Sequence, residues 1–235
     1  FLMPVFIKSA ENNNTFEIPS SYINQLPEDN YILGPGDLIT VNVSEDYPEL
    51  LSQKRIDGEG TIYLPKLKRL YIEGLTINEL NKILNDAYKK YIKYPDVEVS
   101  ISEYRVVRIG VRGEVNDPGL HTLQGAYSLS ADLERESSTF YFPTLFDAIR
   151  ESGGITEYSD LSNIEVIRKE NLSKGGGEKK AVINFNSTFL SNDISKNIRI
   201  YDSDIITIKK LENSQMANLR KAVSTNLNPR IISVI

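Results

Sequence analysis

One stretch of the chain, Thr76 to about Tyr91, repeats its apolar residues at a helical spacing, while the segments on both sides alternate like strands. That contrast restricts the fold more than any other feature. Ile77, Leu80, Ile83, Leu84, Ala87, Tyr88 and Tyr91 form one apolar stripe near the 3.6-residue period. Thr76 and Glu79 have capping-box spacing. Tyr94-Pro95 supplies the stop, because the residue before proline disfavours the helical region. Upstream, Ile39, Val41 and Val43 alternate with polar Thr40 and Asn42, and downstream Val97, Val99 and Ile101 do the same. Between them a turn at Asp57-Gly58-Glu59-Gly60 leads into two short strands, "TIYLP" and "RLYIEG". One main helix on a small sheet is an α+β unit.

A second unit begins near Arg105. Val107, Ile109 and Val111 alternate, and "LHTL" returns as their partner strand. Pro118 and Gly119, within Asn116-Asp117-Pro118-Gly119, suit the central positions of a type II turn. After a polar stretch from Gly125 to Phe142, a short helix is expected from Thr144 to Ser152, with Thr144 as N-cap and Gly153-Gly154 as the C-terminal stop. "NIEVIRK", "KAVINF" and "NIRIYDSDIITIKK" read as strands, with "NLSKGGGEK" a loop tip. Hairpin, helix, then strands is again α+β. Asp37-Leu38-Ile39-Thr40-Val41 is echoed by Asp204-Ile205-Ile206-Thr207-Ile208, a short repeat that proves little alone. Residues 1–29 read as a polar N-terminal arm, and "SQMANLRKAV" as a short helical connector before "RIISVI".

The residues exclude more chemistry than they suggest. There is no cysteine, hence no thiolate metal site, disulfide framework or cysteine nucleophile. A net charge of −5 gives no basic footprint for nucleic acid. No apolar run approaches the roughly 18 residues that span a bilayer. The chain opens on "FLMPVF" without an initiator Met, so its N-terminus reads as trimmed. Gly34-Pro35-Gly36-Asp37 is glycine-rich but leads into a strand rather than a helix, Pro35 has no amide to donate, and Asp37 would repel a phosphate. A type II turn is the better reading, with Pro35 fixing φ and Gly36 accepting a positive φ. The single His121 has neither a second His nor a Cys to share a metal and reads as structural, so no metal or cofactor is expected. Asp202 with Asp204, and Asp57 with Glu59, are the carboxylate pairs a glycosidase would need, but at this spacing they read as solvated turn formers. Trp is absent, which disfavours a tight lectin site.

Taken together, "YILGPGDLITVNV" and "DGEGTIYLPKLKRLYIEGLTINELNKILNDAYKKYIKYPDVEVSI" resemble the bacterial outer-membrane polysaccharide export family, the Wza-like proteins. "VRGEVNDPGLHTL", "TLFDAIRESGGIT", "NIEVIRK" and "YDSDIITI" resemble the soluble-ligand-binding β-grasp (SLBB) domain that follows in that family. The family's usual Gly-Asp before the last strand is Ser203-Asp204 here, and Gly125 to Phe142 is longer than the expected connection. The resemblance implies an export domain over 30–104, an SLBB β-grasp domain over 105–210, and a connector with the possible start of another SLBB domain over 211–235. It implies a non-enzymatic, periplasmic and outer-membrane-associated channel component. Such subunits form a homo-oligomeric ring, hold polysaccharide weakly and work with an inner-membrane polysaccharide co-polymerase. Gly34, Pro35, Gly36, Asp37, Gly113, Pro118, Gly119, Gly153, Gly154 and Asp204 would then be structural turn residues rather than binding sites. The acylated N-terminal Cys and the amphipathic C-terminal helix of that family do not occur in the sequence. A piece of a longer protein and a member that never inserts in the membrane both account for this. Two other readings remain at this point: a periplasmic saccharide- or small-ligand-binding β-grasp module that forms no pore, and a glycan-modifying enzyme with two carboxylates facing across a cleft.

Overall fold

The computed structural model describes residues 31–128, 140–190, 194–211 and 227. The expected arm over 1–29, the "SQMANLRKAV" helix and "RIISVI" lie outside them, as does most of the Gly125 to Phe142 stretch.

The first unit is a three-stranded antiparallel sheet in the order β2 (Ser52–Arg55), β1 (Leu38–Asn42), β5 (Glu98–Glu103). A hairpin of β3 (Thr61–Leu64) and β4 (Lys68–Tyr71) and the helix α1 (Ile77–Tyr88) complete it. The registers Ile39 opposite Ile101 and Val41 opposite Val99 put the alternating residues on one face. That face and α1 enclose Leu33, Ile39, Val41, Leu80, Leu84, Tyr88 and Val97 in one core. Each fully buried leucine contributes about 2 kcal/mol through the water it sheds. The capping box forms: the Glu79 amide donates to the Thr76 side chain, and the Thr76 amide donates to Glu79. The apolar stripe is narrower than the spacing predicts. Leu80, Leu84 and Tyr88 are buried, whereas Ile83 and Tyr91 are exposed. The helix ends at Tyr88, where the Tyr91 and Ile92 amides close a turn on the Tyr88 carbonyl. Asn81 and Asn85 reach from α1 to the amides of Val99 and Val97 and so cover part of the free edge of β5.

The second unit is a five-stranded mixed sheet in the order β11 (Glu178–Ile183), β10 (Ser159–Lys169), β12 (Ile205–Lys210), β6 (Val107–Gly113), β7 (Gly119–Leu123). The first and last strands, β6 and β12, lie side by side and parallel, with Ile206 opposite Val111. The helix α2 (Leu145–Glu151) covers one face, burying Leu145, Ala148 and Ile149 against Ile109, Val111, Ile164 and Ile206. A hairpin on one side, a second antiparallel pair on the other and the first and last strands parallel at the centre fit the β-grasp arrangement. The described residues are therefore α+β in both units. A two-residue ribbon pairs β8 (Tyr127–Ser128) with β9 (Phe140–Tyr141), and a short helix α3 (Asn186–Leu190) follows β11.

Two local expectations give way. Pro118 and Gly119 do not form a type II turn: Gly119 has no positive φ and already pairs with Val111 as the first residue of β7. The reversal is longer, and its left-handed residue is Gly113 at φ +88. A Cβ there would run into the Ile208 carbonyl oxygen. "NIRIYDSD" is not strand either. It crosses the sheet end with a single bridge, Arg199 to Thr144, before β12 begins at Ile205.

Candidate functional site at the joint between the units

The echoed sequence marks one device built twice. In the first unit the Asp37 amide donates to the Gly34 carbonyl at 3.2 Å, and the Gly34 amide donates back to Asp37 Oδ2 at 3.0 Å. In the second, the Asp204 amide donates to the Tyr201 carbonyl at 3.1 Å, and the Tyr201 amide donates to Asp204 Oδ2 at 2.9 Å. The residue before each aspartate is left-handed, Gly36 at φ +102 and Ser203 at φ +69. Both aspartates are wholly buried and each leads straight into a strand, β1 or β12. A buried carboxylate needs a countercharge and a full set of donors. Each finds an arginine.

Asp204 is served from within its own sheet. Arg168, on β10, reaches it with Nε at 2.9 Å and an Nη at 2.7 Å. Burial pushes the Asp204 carboxyl above its ordinary range, opposed by the Arg168 guanidinium and the Tyr201 amide. Asp37 is served from outside its sheet. Arg105, in the link between β5 and β6, donates its amide to Asp37 Oδ1 at 2.9 Å and Nη1 to Oδ2 at 2.6 Å. The same guanidinium reaches Asp202 from Nε at 3.3 Å and from Nη2 at 3.2 Å. Asp202 in turn accepts the Arg108 amide at 2.9 Å. One arginine therefore joins the opening turn of the first unit to the closing turn of the second. Burial alone would lower the Arg105 pKa; Tyr31, Asp37 and Asp202 around it outweigh that and raise it. Tyr31 donates its hydroxyl to Asp37, and burial together with that carboxylate pushes its pKa far above an ordinary phenol.

Aromatic rings surround the pair. Arg199 lies 3.5 Å from the ring centre of Phe142, 4.7 Å from Tyr201 and 5.3 Å from Tyr104. Tyr31 meets Tyr104 edge-on at 5.0 Å. The Arg199 Nε is buried without a hydrogen-bond partner among the described residues, so ring faces do part of its solvation. Beside the joint opens a cleft of about 520 Å³, lined by residues of both units including Gly34, Glu73, Arg108, Lys169, Leu172 and Tyr201.

Of the turn residues singled out in the sequence, Gly34 and Pro35 line this cleft, Gly36 lies against Arg105, and Asp37 and Asp204 are held by Arg105 and Arg168, which also line it. Gly113, Pro118 and Gly119 lie at the far end of the β6–β7 hairpin. Gly153 and Gly154, both at positive φ, close α2. His121 sits on β7 with Nε2 2.8 Å from the Asp117 carbonyl. The reading of Asp202 and Asp204 as solvated is overturned, since Asp204 is wholly buried and the Asp202 side chain is only 9% exposed, both held by arginines. Asp57 and Glu59 do behave as an exposed turn, sharing Arg69. Arg105, Arg168, Arg199 and their aromatic neighbours were missed. The echoed Asp-x-Ile-Thr was the signal available, because a repeated acid before a strand calls for a repeated cation. Among the described residues no group of three His, Cys, Asp or Glu side chains is placed to hold a metal ion. No helix of the described residues is long and apolar enough to cross a membrane.

Comparison with known proteins puts this geometry in context. Residues 25–102 match the family model described as polysaccharide biosynthesis/export protein. The chain is 23% identical over 210 residues to the EPS I polysaccharide export outer membrane protein EpsA of Ralstonia nicotianae, covering 79% of this chain and 49% of that one. It is 30% identical over 92 residues to the polysialic acid transport protein KpsD of Escherichia coli, covering 39% of this chain and 16% of that one. The chain thus spans about half the length of the first of these relatives and less of the second. The similarity to the polysaccharide biosynthesis/export protein family thus lies in residues 25–102, the first unit of the chain.

Proposed function

We propose that the protein is a non-enzymatic component of a polysaccharide export channel, acting in the periplasm in association with the outer membrane. The observation that carries this reading is the family match over residues 25–102, which contains the Gly34–Asp37 turn, the β3–β4 hairpin and α1. In this reading 30–104 is the export domain, 105–210 the SLBB β-grasp domain and 211–235 a connector with the possible start of a second SLBB domain. The full-length protein forms a homo-oligomeric ring, and an inner-membrane co-polymerase delivers polymer to it. The family turns, including Gly34 to Asp37, Gly113, Pro118, Gly119, Gly153, Gly154 and Asp204, act as structural determinants. The state of the acids supports a non-catalytic role. Both oxygens of Asp37, Asp202 and Asp204 accept hydrogen bonds or face a guanidinium, so none stands as a free base or nucleophile.

A second reading is a ligand-binding module without a pore. The cleft at the joint favours it, because pockets between units are where small ligands commonly bind. Two tyrosines, Tyr31 and Tyr201, line that cleft, and arginines already occupy positions over both rings. The experiment that separates the readings is deletion of the gene, with surface and internal polysaccharide measured separately. Loss of surface polymer, restored by the full-length gene, is the expected result. Unchanged surface polymer in a strain with no second copy contradicts export and leaves the ligand-binding module.

A further inference from the structure

The β3–β4 hairpin turns an unusual surface outward. The pairings Thr61 with Tyr71 and Tyr63 with Arg69 place these four side chains on one face, while Ile62 and Leu64 enter the core from the other. Tyr63 and Tyr71 are 62% and 66% exposed. Two large rings thus share one exposed face of a short hairpin, an arrangement suited to a contact surface. They lie on one diagonal of the face, and Arg69 Nε donates to Thr61 Oγ1 across the other at 2.7 Å. Arg69 is held further by Asp57 at 3.0 Å and Glu59 at 2.7 Å. Gly60 leaves room for the Tyr71 ring, since a Cβ there would lie 3.0 Å from Tyr71 Cε2.

The tip of the hairpin is strained. Leu67 donates its amide to the Pro65 carbonyl at 2.8 Å across Lys66 at φ +67, a three-residue turn of the rare left-handed kind. Lys68, two residues on, is also left-handed at φ +62. The Tyr88 hydroxyl fixes this tip to α1 through the Pro65 carbonyl at 3.0 Å. Two non-glycine residues at positive φ within three positions cost free energy that the surrounding packing must offset, and such strain gathers at working surfaces. Charge narrows the ligand. On this face Arg69 is held by Asp57 and Glu59, and Glu73 lies beside Gly60, so no excess of positive charge is there to attract a polyanion. Exposed rings beside a fixed guanidinium and carboxylates are suited to sugar C–H faces and hydroxyls.

We propose that this face is a contact site for a neutral saccharide chain, with Tyr63 and Tyr71 packing against successive sugar rings and the Arg69–Asp57–Glu59 cluster exchanging hydrogen bonds with their hydroxyls. It deepens the export reading and rests on it. The test is native affinity electrophoresis of the 235-residue chain through gels containing dextran, galactomannan, starch or alginate. The expected result is retardation by at least one of the three neutral polymers, insensitive to added salt. In the Tyr63→Ala/Tyr71→Ala double variant the apparent affinity falls about tenfold. Leu120→Ala, which removes a side chain 91% exposed on β7, changes nothing. Both tyrosines are exposed, so an unchanged melting temperature shows that the variant is folded. The proposal is overturned by no retardation in any neutral polymer, by retardation the double variant keeps, or by retardation in alginate alone that salt abolishes. This measurement is independent of the gene deletion: failure here with surface polymer lost on deletion sinks only the contact site, and the converse sinks only export.

Discussion

Asp37 and Asp204 occupy the same local geometry in the two units, yet their partners come from different places. Each is buried, each closes a four-residue turn with a left-handed third residue, and each opens a strand. Asp204 is neutralised by Arg168 from a neighbouring strand of its own sheet. Asp37 is neutralised by Arg105, which lies where the chain leaves the first unit and also holds Asp202 of the second. The same solution to a buried carboxylate thus gives an internal staple in one unit and a joint between units in the other. In the ring proposed above the second use would matter most, because a fixed angle between units is needed if identical copies are to close.

The comparison breaks most severely at Arg105. Arg105→Ala leaves the wholly buried Asp37 without its countercharge and leaves Asp202 only Arg108, at 3.5 Å. A loss of about 3–5 kcal/mol of stability is expected by chemical denaturation, together with new protease cleavage near the link. Arg168→Ala leaves one acid, Asp204, and is expected to cost about 3 kcal/mol, with the first unit unaffected. Smaller effects come from the left-handed positions. Gly36→Ala forces a Cβ into φ +102 and to 3.2 Å from the Arg105 Cβ, at a cost of about 1–2 kcal/mol. Ser203→Gly relieves φ +69 and is expected to raise stability by about 1 kcal/mol at most. The smallest effect sharpens the contrast between buried and exposed acids. Thr61, through its hydroxyl and its amide, holds the exposed Asp57 at a pKa of about 2, below its ordinary 3.8. Its folded pKa is depressed, so its stabilising contribution is complete above the ordinary value and is lost as pH falls through about 2. An NMR titration of the Asp57 carboxyl with its midpoint near 2 checks this, and Thr61→Val is expected to move that midpoint up.

Much of the fold was legible because its signals are local. The capping box at Thr76 and Glu79, the alternation at Ile39 and Val41, and the Gly153-Gly154 stop each act within a few residues, where sequence and geometry coincide. Ile83 and Tyr91 misled because apolar spacing does not reveal how wide a stripe the sheet covers. Pro118-Gly119 misled because a favourable turn dipeptide was overridden by strand pairing, with Gly119 drawn into register opposite Val111. The site was less legible than the fold. Asp37 and Asp204 were visible as turn residues, but their burial depends on arginines 68 and 36 residues away in sequence. No local pattern links such distant residues.

Arg105 makes the two turns one structure. Amide hydrogen exchange tests it directly in Arg105→Ala and Arg168→Ala. Arg105→Ala is expected to speed exchange on both sides of the joint, at the Gly34 amide that donates to Asp37 and at the Arg108 amide that donates to Asp202. Arg168→Ala should speed exchange at the Tyr201 amide and leave Gly34 unchanged. Faster exchange in Arg105→Ala confined to one side, or equal effects of the two variants on Gly34, would contradict it.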